Sequence, residues 1–419
     1  MNDIDKIYEE LGEGICLFPF IGGFYSTVDG KARGDNRVIP NNVRPCCVWQ
    51  DNKDNSWHEV QEGATIAETR NSDGYRRIRE MFLAGKWKDI SGCNACHIAE
   101  QYSNSSTRTV NNVYFAENIN EDIIALIKEI QANNFTSNNI KQLDYFPSNY
   151  CDYECVMCFG GASSKRNTFE IKHKSSEHSV VLNDVDSDFY DVLTTVDIIG
   201  FTGGETIMQK QVHELIDYLI EKDLAKNISI NILTNASKYP ENLIDKFKEF
   251  KKVAYTISID GTGDIIEYQR RGAKWDTVQD VARKIHNTPH LHDFVNYVLT
   301  SMNVLSAMEW IDWMHDNDFK IFAVSPVHRA DHLSLLAMPE EMKATALNRL
   351  QNGRKRYQHY TPDRDEYSYV RGIDQIMQTI EQATFDPAQL KKFVEFIKIE
   401  DRVSNKPLHE VVPEWAPYF

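Results

Sequence analysis

Short apolar runs separated by amphipathic stretches dominate the chain from about residue 140 onward. Six of these runs predict buried strands, because each is short, rich in β-branched or aromatic residues, and bounded by polar segments. The predicted strands are residues 142–146, 196–201, 228–233, 253–259, 294–300 and 320–325.

Helical periodicity appears between these runs, with apolar residues at i, i+3, i+4 and i+7. Helices are predicted at residues 119–131, 212–220, 243–250, 278–285 and 310–314. Strands that alternate with helices favour a parallel sheet. Six units are fewer than the eight of a full barrel, so we predict an α/β fold with a partial (βα)6 TIM-like barrel.

The flanking regions follow other patterns. Residues 1–110 lack sustained periodicity and are predicted to be irregular, and the polar insertion 162–190 is predicted to be a surface loop. Residues 338–419 are predicted to be mostly helical, with Asp386 as the N-cap of a helix that runs to Ile399. We therefore expect a small cysteine-rich module at 1–118, the barrel at 119–330 and a helical C-terminal extension at 331–419.

Composition and charge exclude several classes of protein. The chain has 419 residues, of which 42% are hydrophobic and 26% charged, which is typical of a globular protein. The net charge is 46 − 62 = −16, which disfavours nucleic acids and acidic membrane surfaces as partners. No leader sequence and no apolar run of about 18 residues is visible. We expect a cytoplasmic protein with reduced thiols.

The cysteines point to metal chemistry. All eight lie before residue 160. Cys151, Cys155 and Cys158 form a C-x3-C-x2-C run directly after the first predicted strand. Three thiolates suit three irons of a 4Fe–4S cluster and leave the fourth iron open to an external ligand. A zinc site, which prefers four closed ligands, and a buried structural set are the alternatives.

A second motif, Gly203-Gly204-Glu205, follows the second predicted strand. The glycines permit a turn that exposes backbone polar groups to a ligand, and the Glu205 carboxylate suits an ammonium group. The cysteine run, the Gly-Gly-Glu motif and the βα pattern together resemble the radical S-adenosylmethionine (SAM) superfamily over about residues 140–326.

The resemblance implies that SAM binds the open iron and that one electron from the cluster cleaves it, giving a 5′-deoxyadenosyl radical that abstracts a substrate hydrogen. It also implies an electron donor such as flavodoxin or ferredoxin. The resemblance assigns SAM binding to Met157, Gly203, Gly204, Glu205, Asn235, Ser258, Asp260 and Arg271, with Arg270 as the alternative to Arg271.

The remaining cysteines resemble a Twitch/SPASM auxiliary-cluster module over roughly residues 14–110, although that module usually follows the barrel. The resemblance implies a second 4Fe–4S cluster, and zinc or no metal are the alternatives. The implied ligands are Cys16, Cys46, Cys93 and Cys96. Cys47, adjacent to Cys46, competes with it, and we favour Cys46.

Two functions are compatible with these features. The first is a radical SAM enzyme, oxidoreductase-like, whose auxiliary cluster transfers electrons or positions a peptide side chain or small metabolite. The second is a non-catalytic iron–sulfur or zinc scaffold that binds a partner protein. No catalytic residue is assigned by the sequence. Polar or aromatic residues near predicted strand ends are Tyr150, Tyr153, His328 and Arg329.

Overall fold

The structure is a computed structural model that describes residues 3–31, 43–49, 64–102, 106–173, 179–327, 330–359 and 369–419. The strands are β1 (Gly22–Ser26), β2 (Val28–Lys31), β3 (Val43–Arg44), β4 (Gln142–Phe146), β5 (Ser179–Leu182), β6 (Ile198–Phe201), β7 (Ser229–Thr234), β8 (Lys252–Ser258), β9 (Leu291–Leu299) and β10 (Phe322–Pro326).

The helices before β6 are α1 (Ile4–Leu11), α2 (Phe18–Ile21), α3 (Ile66–Arg70), α4 (Asp73–Leu83), α5 (Asn94–Tyr102), α6 (Thr107–Asn118), α7 (Ile123–Ala132), α8 (Ser164–Lys172) and α9 (Phe189–Val192). Those after it are α10 (Lys210–Glu221), α11 (Ile244–Phe247), α12 (Gly263–Gln269), α13 (Trp275–His286), α14 (Ala307–Asp316), α15 (Glu340–Tyr357), α16 (Tyr369–Gln382), α17 (Pro387–Glu400) and α18 (Leu408–Val411).

One sheet of eight strands organises the molecule, in the order β10-β9-β8-β7-β6-β4-β1-β3. The six predicted strands are β4 and β6 to β10, and they pair in parallel. Two edge strands, β10 and β3, leave the sheet open, so the predicted mixed α/β fold with a partial barrel is confirmed. Parallel strands bring the loops that follow them to one edge of the sheet.

The two faces of this sheet differ in chemistry. One face is fully buried under helices and is apolar, as Ile199, Ile230 and Ile257 illustrate. The opposite face, which we call the polar face, is mostly half-buried and carries hydrogen-bonding side chains. Its polar residues are Asp144, Asn231, Thr256, Ser258, Asn296 and Ser325.

The N-terminal region is more ordered than its sequence pattern predicts. It contains helices α1 to α6, and β1 pairs in parallel with β4. The expectation of irregular structure was wrong because buried arginines interrupt the apolar periodicity. Arg79 on α4 is 0% exposed and donates to the backbone oxygens of Pro19 at 2.8 Å and Phe135 at 2.6 Å. The domain boundary at 118/119 stays a prediction.

The insertion 162–190 is another correction. Its described part contains α8, β5 and α9 in place of a surface loop. Arg166 and Glu170 lie on the buried face of α8 and bind each other at 3.1 Å, so the polar composition of this segment reflects buried ion pairs in addition to surface exposure.

The C-terminal region is mostly helical as predicted. Asp386 caps α17 by accepting a hydrogen bond from the backbone of Ala388 at 2.8 Å, and α16 packs against β10 and α5. No helix in the described ranges is both long enough and apolar enough to cross a membrane.

Candidate functional site

The cysteine loop lies between β4 and α8, at the edge of the sheet where the parallel strands end. Its backbone pairs with the C-terminal end of α12 and the residues just after it: Val156 donates to the oxygen of Gln269 at 2.7 Å, and Glu154 donates to that of Arg271 at 2.8 Å. These bonds hold the cysteine loop against the segment between β8 and β9 that contains α12.

The three thiols of this loop are close enough to interact electrostatically. Burial raises the pKa of Cys151 to about 11. Burial also raises the pKa of Cys155, and the thiols of Cys158 and Cys151 contribute to that rise. Such thiols are neutral unless a cation stabilises their thiolates, which is what coordinating iron does. The donor set therefore fits an iron–sulfur cluster.

Two of these sulfurs each have a side-chain nitrogen nearby. The side-chain nitrogen of Asn235 lies 3.8 Å from Cys151 Sγ, and Arg270 Nη1 lies 4.0 Å from Cys155 Sγ. Arg270 is held by a buried ion pair with Asp260 at 2.7 Å, and Asp260 also accepts the backbone N–H of Val298 at 2.8 Å. Hydrogen bonds to cluster sulfurs tune reduction potentials.

The Gly-Gly-Glu turn is bonded directly to the start of the cysteine loop. Gly204 donates to the oxygen of Ser148 at 3.0 Å, and Glu205 donates to that of Tyr150 at 2.8 Å. A Cβ at Gly204 would lie 2.0 Å from the Tyr150 oxygen, and Gly203 has a φ of +120°. Both positions therefore require glycine.

Glu205 is completely buried. Its carboxylate accepts hydrogen bonds from Thr234 Oγ1 at 2.8 Å and from the backbone N–H of Asn235 at 2.6 Å. Burial raises its pKa to about 7. The side chain thus joins the Gly-Gly-Glu turn to the end of β7, which leaves the backbone of the turn as the part facing the cysteine loop.

Other predicted cofactor residues lie in different surroundings. Ser258 is buried at the end of β8, and Met157 is half-buried between Cys155 and Cys158. Arg271 forms ion pairs with Glu154 and Glu400. The structure thus brings Arg270 to the thiols, and this arrangement gives no support to the predicted SAM contact of Arg271.

Tyr150 and Tyr153, which have no predicted role, differ in their exposure to solvent. Tyr150 is exposed, whereas Tyr153 is buried. The other two such residues, at 328 and 329, lie outside the described residues.

A buried polar network supports Asp260 and was missed by the sequence analysis. The side-chain nitrogens of Gln269 and Asn303 donate to the Asp260 backbone oxygen at 3.1 and 2.9 Å. Thr300 Oγ1 donates to Gln269 Oε1 at 3.1 Å. The only sequence signal is that Thr300 ends a predicted strand and Asn303 lies three residues after it.

A second group of thiols lies in the N-terminal region. Cys16, Cys46, Cys93 and Cys96 line one cavity together with Trp49, Phe82 and Arg108, whereas the adjacent Cys47 is not among its lining residues. Burial raises the pKa of Cys46, the adjacent thiol of Cys47 raises it further, and the thiols of Cys16, Cys93 and Cys96 act in the same direction. We call the four cysteines that line the cavity the N-terminal thiol group.

Arg108 supplies positive charge to this group. Its guanidinium binds Glu100 at 2.7 Å and donates to the backbone oxygens of Glu13 and Ile15, both at 2.7 Å. Burial raises the pKa of Cys16 to about 12, while Arg108 acts in the opposite direction.

The two thiol groups lie at opposite ends of the same strands. Cys16 precedes β1, whereas the cysteine loop follows β4, and β1 and β4 are parallel from Gly22 and Gln142 to Ser26 and Phe146. A strand of this length spans roughly 16 Å. The polar face extends between the two ends.

No group of three His, Cys, Asp or Glu side chains in the described residues is arranged around a position for one metal ion. A cubane cluster has a different requirement, because each thiolate binds a different iron.

The part of the chain that contains these motifs also matches a known protein family. Residues 145–302 match the family model described as the Radical SAM superfamily. This segment contains the cysteine loop and the Gly-Gly-Glu turn. An uncharacterized protein of Methanocaldococcus jannaschii is 25% identical over 251 residues, which cover 56% of this chain and 80% of that protein.

Solved structures with similar folds include native anSMEcpe with bound AdoMet, which is 17% identical with a TM-score of 0.40 and covers 52% of this chain and 61% of its own. SuiB from Streptococcus suis bound to S-adenosylmethionine is 14% identical with a TM-score of 0.37, covering 67% of this chain and 61% of its own. The chain thus spans about three fifths of each structure.

Proposed function

We propose that the chain is a radical SAM enzyme in which Cys151, Cys155 and Cys158 hold a 4Fe–4S cluster with one iron open to SAM. The observation that carries this proposal is the convergence of the three thiols beside a Gly-Gly-Glu turn that is hydrogen-bonded to the same loop. When bound, the cluster supplies the electron that cleaves SAM and so generates the radical for hydrogen abstraction.

The chain's own residues bind and orient these groups. Asn235 and Arg270 donate toward the sulfurs. The backbone of Gly203–Glu205 is available to the SAM amino group because the Glu205 carboxylate is already bonded to Thr234 and Asn235. Met157 in the cysteine loop, and Ser258 and Asp260 at and just after the end of β8, remain the proposed contacts of SAM.

We further propose that the N-terminal thiol group binds a second, fully ligated 4Fe–4S cluster through Cys16, Cys46, Cys93 and Cys96. Their common cavity supports this ligand set and supports Cys46 over Cys47. A fully ligated cluster offers no open iron, so its proposed role is to accept an electron from the substrate in an oxidoreductase-like reaction, or to position that substrate.

The polar face is the proposed substrate site, because it extends between the cysteine loop and the N-terminal thiol group, which lie at opposite ends of the strands. Its described side chains offer hydrogen bonds and one carboxylate, Asp144, which suits a peptide side chain or a polar small metabolite. The proposed electron donor is a flavodoxin or ferredoxin.

Anaerobic reconstitution tests these proposals. Two clusters correspond to about eight irons and eight sulfides per chain, and dithionite with SAM should yield 5′-deoxyadenosine. Cys155→Ala should abolish this product, whereas Cys47→Ala should retain it. A loaded cluster that does not cleave SAM would contradict the enzyme and favour a scaffold. About four irons would contradict only the second cluster.

A further inference from the structure

Five charged side chains lie buried or half-buried between the cysteine loop and the C-terminal helix α17. They are Glu154, Arg166, Glu170, Arg271 and Glu400. Burying charges costs free energy unless they are paired and hydrogen-bonded. Their pairing offsets this cost and connects α17 to the cysteine loop.

Glu400, the last residue of α17, is the centre of this ion network. It is 1% exposed and accepts two hydrogen bonds from the Arg166 guanidinium, at 3.0 and 2.9 Å. It also pairs with Arg271. One carboxylate thus holds two guanidinium groups from two different segments.

Each guanidinium is connected, through a glutamate, to a different part of the cysteine loop. Arg166 binds Glu170 at 3.1 Å, and Glu170 accepts the backbone N–H of Gly160, two residues after Cys158, at 3.0 Å. Arg271 pairs with Glu154, which lies between Cys151 and Cys155. The network therefore reaches the loop both within and after the cysteine run.

The network also acts on the thiols through its charge. Two arginines and three glutamates give the network a formal charge of 2 − 3 = −1. Loss of the Glu400 charge would make the surroundings of the cluster more positive.

We propose that Glu400 is a positioning residue for the cluster of the radical SAM domain, which it stabilises through Arg166 and Arg271 and whose reduction potential it lowers by its negative charge. Glu400 lies outside the segment 145–302 that matches the family. The C-terminal extension is thereby part of the cofactor site. This inference rests on the proposed cluster at Cys151, Cys155 and Cys158.

The test compares Glu400→Gln with Glu395→Gln, an exposed position on the same helix. Each protein is reconstituted, and the midpoint potential is measured by electron paramagnetic resonance on the signal that SAM perturbs. Only a cluster with an open iron gives that response. Glu400→Gln should raise the reduced-to-oxidised ratio at a fixed potential about tenfold, equivalent to about +59 mV for one electron. SAM cleavage should fall roughly 10- to 100-fold.

The outcomes separate this inference from the function on which it rests. If wild-type protein lacks a SAM-sensitive signal, the proposed function fails. If wild type has that signal and Glu400→Gln matches Glu395→Gln in iron content and potential, Glu400 has no positioning role. Should Glu400→Gln not fold, Glu154→Gln at the half-buried end of the network serves instead, and an unchanged potential there would overturn the inference.

Discussion

Glu205 combines complete burial with a carboxyl group that keeps its proton to higher pH than an exposed glutamate does. Its usual pKa is 4.5, and burial raises this to about 7. The folded state therefore binds more protons than the unfolded state between these two values, so this residue makes the protein less stable as pH rises through that window.

We predict that Glu205→Gln weakens the pH dependence of stability of the metal-free protein. The difference between the two pKa values corresponds to about 3 kcal/mol. From pH 5 to pH 8, the free energy of unfolding of wild type should fall by up to about that amount more than that of the variant. Urea denaturation at both pH values measures this, with exposed Glu241→Gln as the control. Parallel curves for wild type and Glu205→Gln would contradict it.

The close contact of Gly204 with the Tyr150 backbone allows a second prediction for a single residue. Gly204→Ala would place a Cβ 2.0 Å from the Tyr150 oxygen, whereas the Cβ of Gly23→Ala would lie 3.4 Å from its nearest neighbour, the Arg70 side chain. Moving the backbone before Cys151 should lower stability by about 1–3 kcal/mol and reduce cluster iron, with little effect in the control. Thermal unfolding and iron content report both effects, and equal results for the two variants would refute the close-approach argument.

At the scale of elements, sequence periodicity was reliable where each residue type behaved according to its polarity. The six strands of the barrel agree with prediction because their apolar side chains form the buried face. Prediction failed where charged residues were buried. Arg79 on α4 and Arg166 on α8 are partnered by distant chain segments, and single-sequence patterns do not encode such partners.

The same limit applies to the candidate site. The cysteine and Gly-Gly-Glu motifs carry their chemistry in their spacing, so both could be identified directly. The choice between Arg270 and Arg271 depends on Asp260, Glu154 and Glu400, which lie far apart in sequence. Only the tertiary structure separates these neighbouring arginines.

The N-cap of α17 gives a prediction for an element. Asp386→Ala removes the acceptor for the Ala388 N–H and should reduce the free energy of unfolding by about 1 kcal/mol. The exposed substitution Lys391→Ala on the same helix serves as the comparison. Denaturation midpoints measure the difference, and an effect no larger than that of Lys391→Ala would show that the cap contributes nothing.

At the scale of the whole molecule, the two thiol groups are held at opposite ends of β1 and β4. We predict that they load independently. Cys155→Ala and Cys93→Ala should each lose about four irons, and the double variant should lose both sets. Only Cys155→Ala should lose the SAM-perturbed signal. Loss of that signal in Cys93→Ala, with secondary structure retained by circular dichroism, would mean that the groups depend on each other.

The pairing of β1 with β4 also determines how this protein can be divided experimentally. A fragment that begins at residue 119 would retain the segment matching the family but would lose β1, leaving the N–H and C=O groups along one side of β4 without their sheet partner. Such an edge promotes pairing between molecules. Fragments intended for biochemical work should therefore retain β1, because a boundary drawn from the motifs alone would create an aggregation-prone protein.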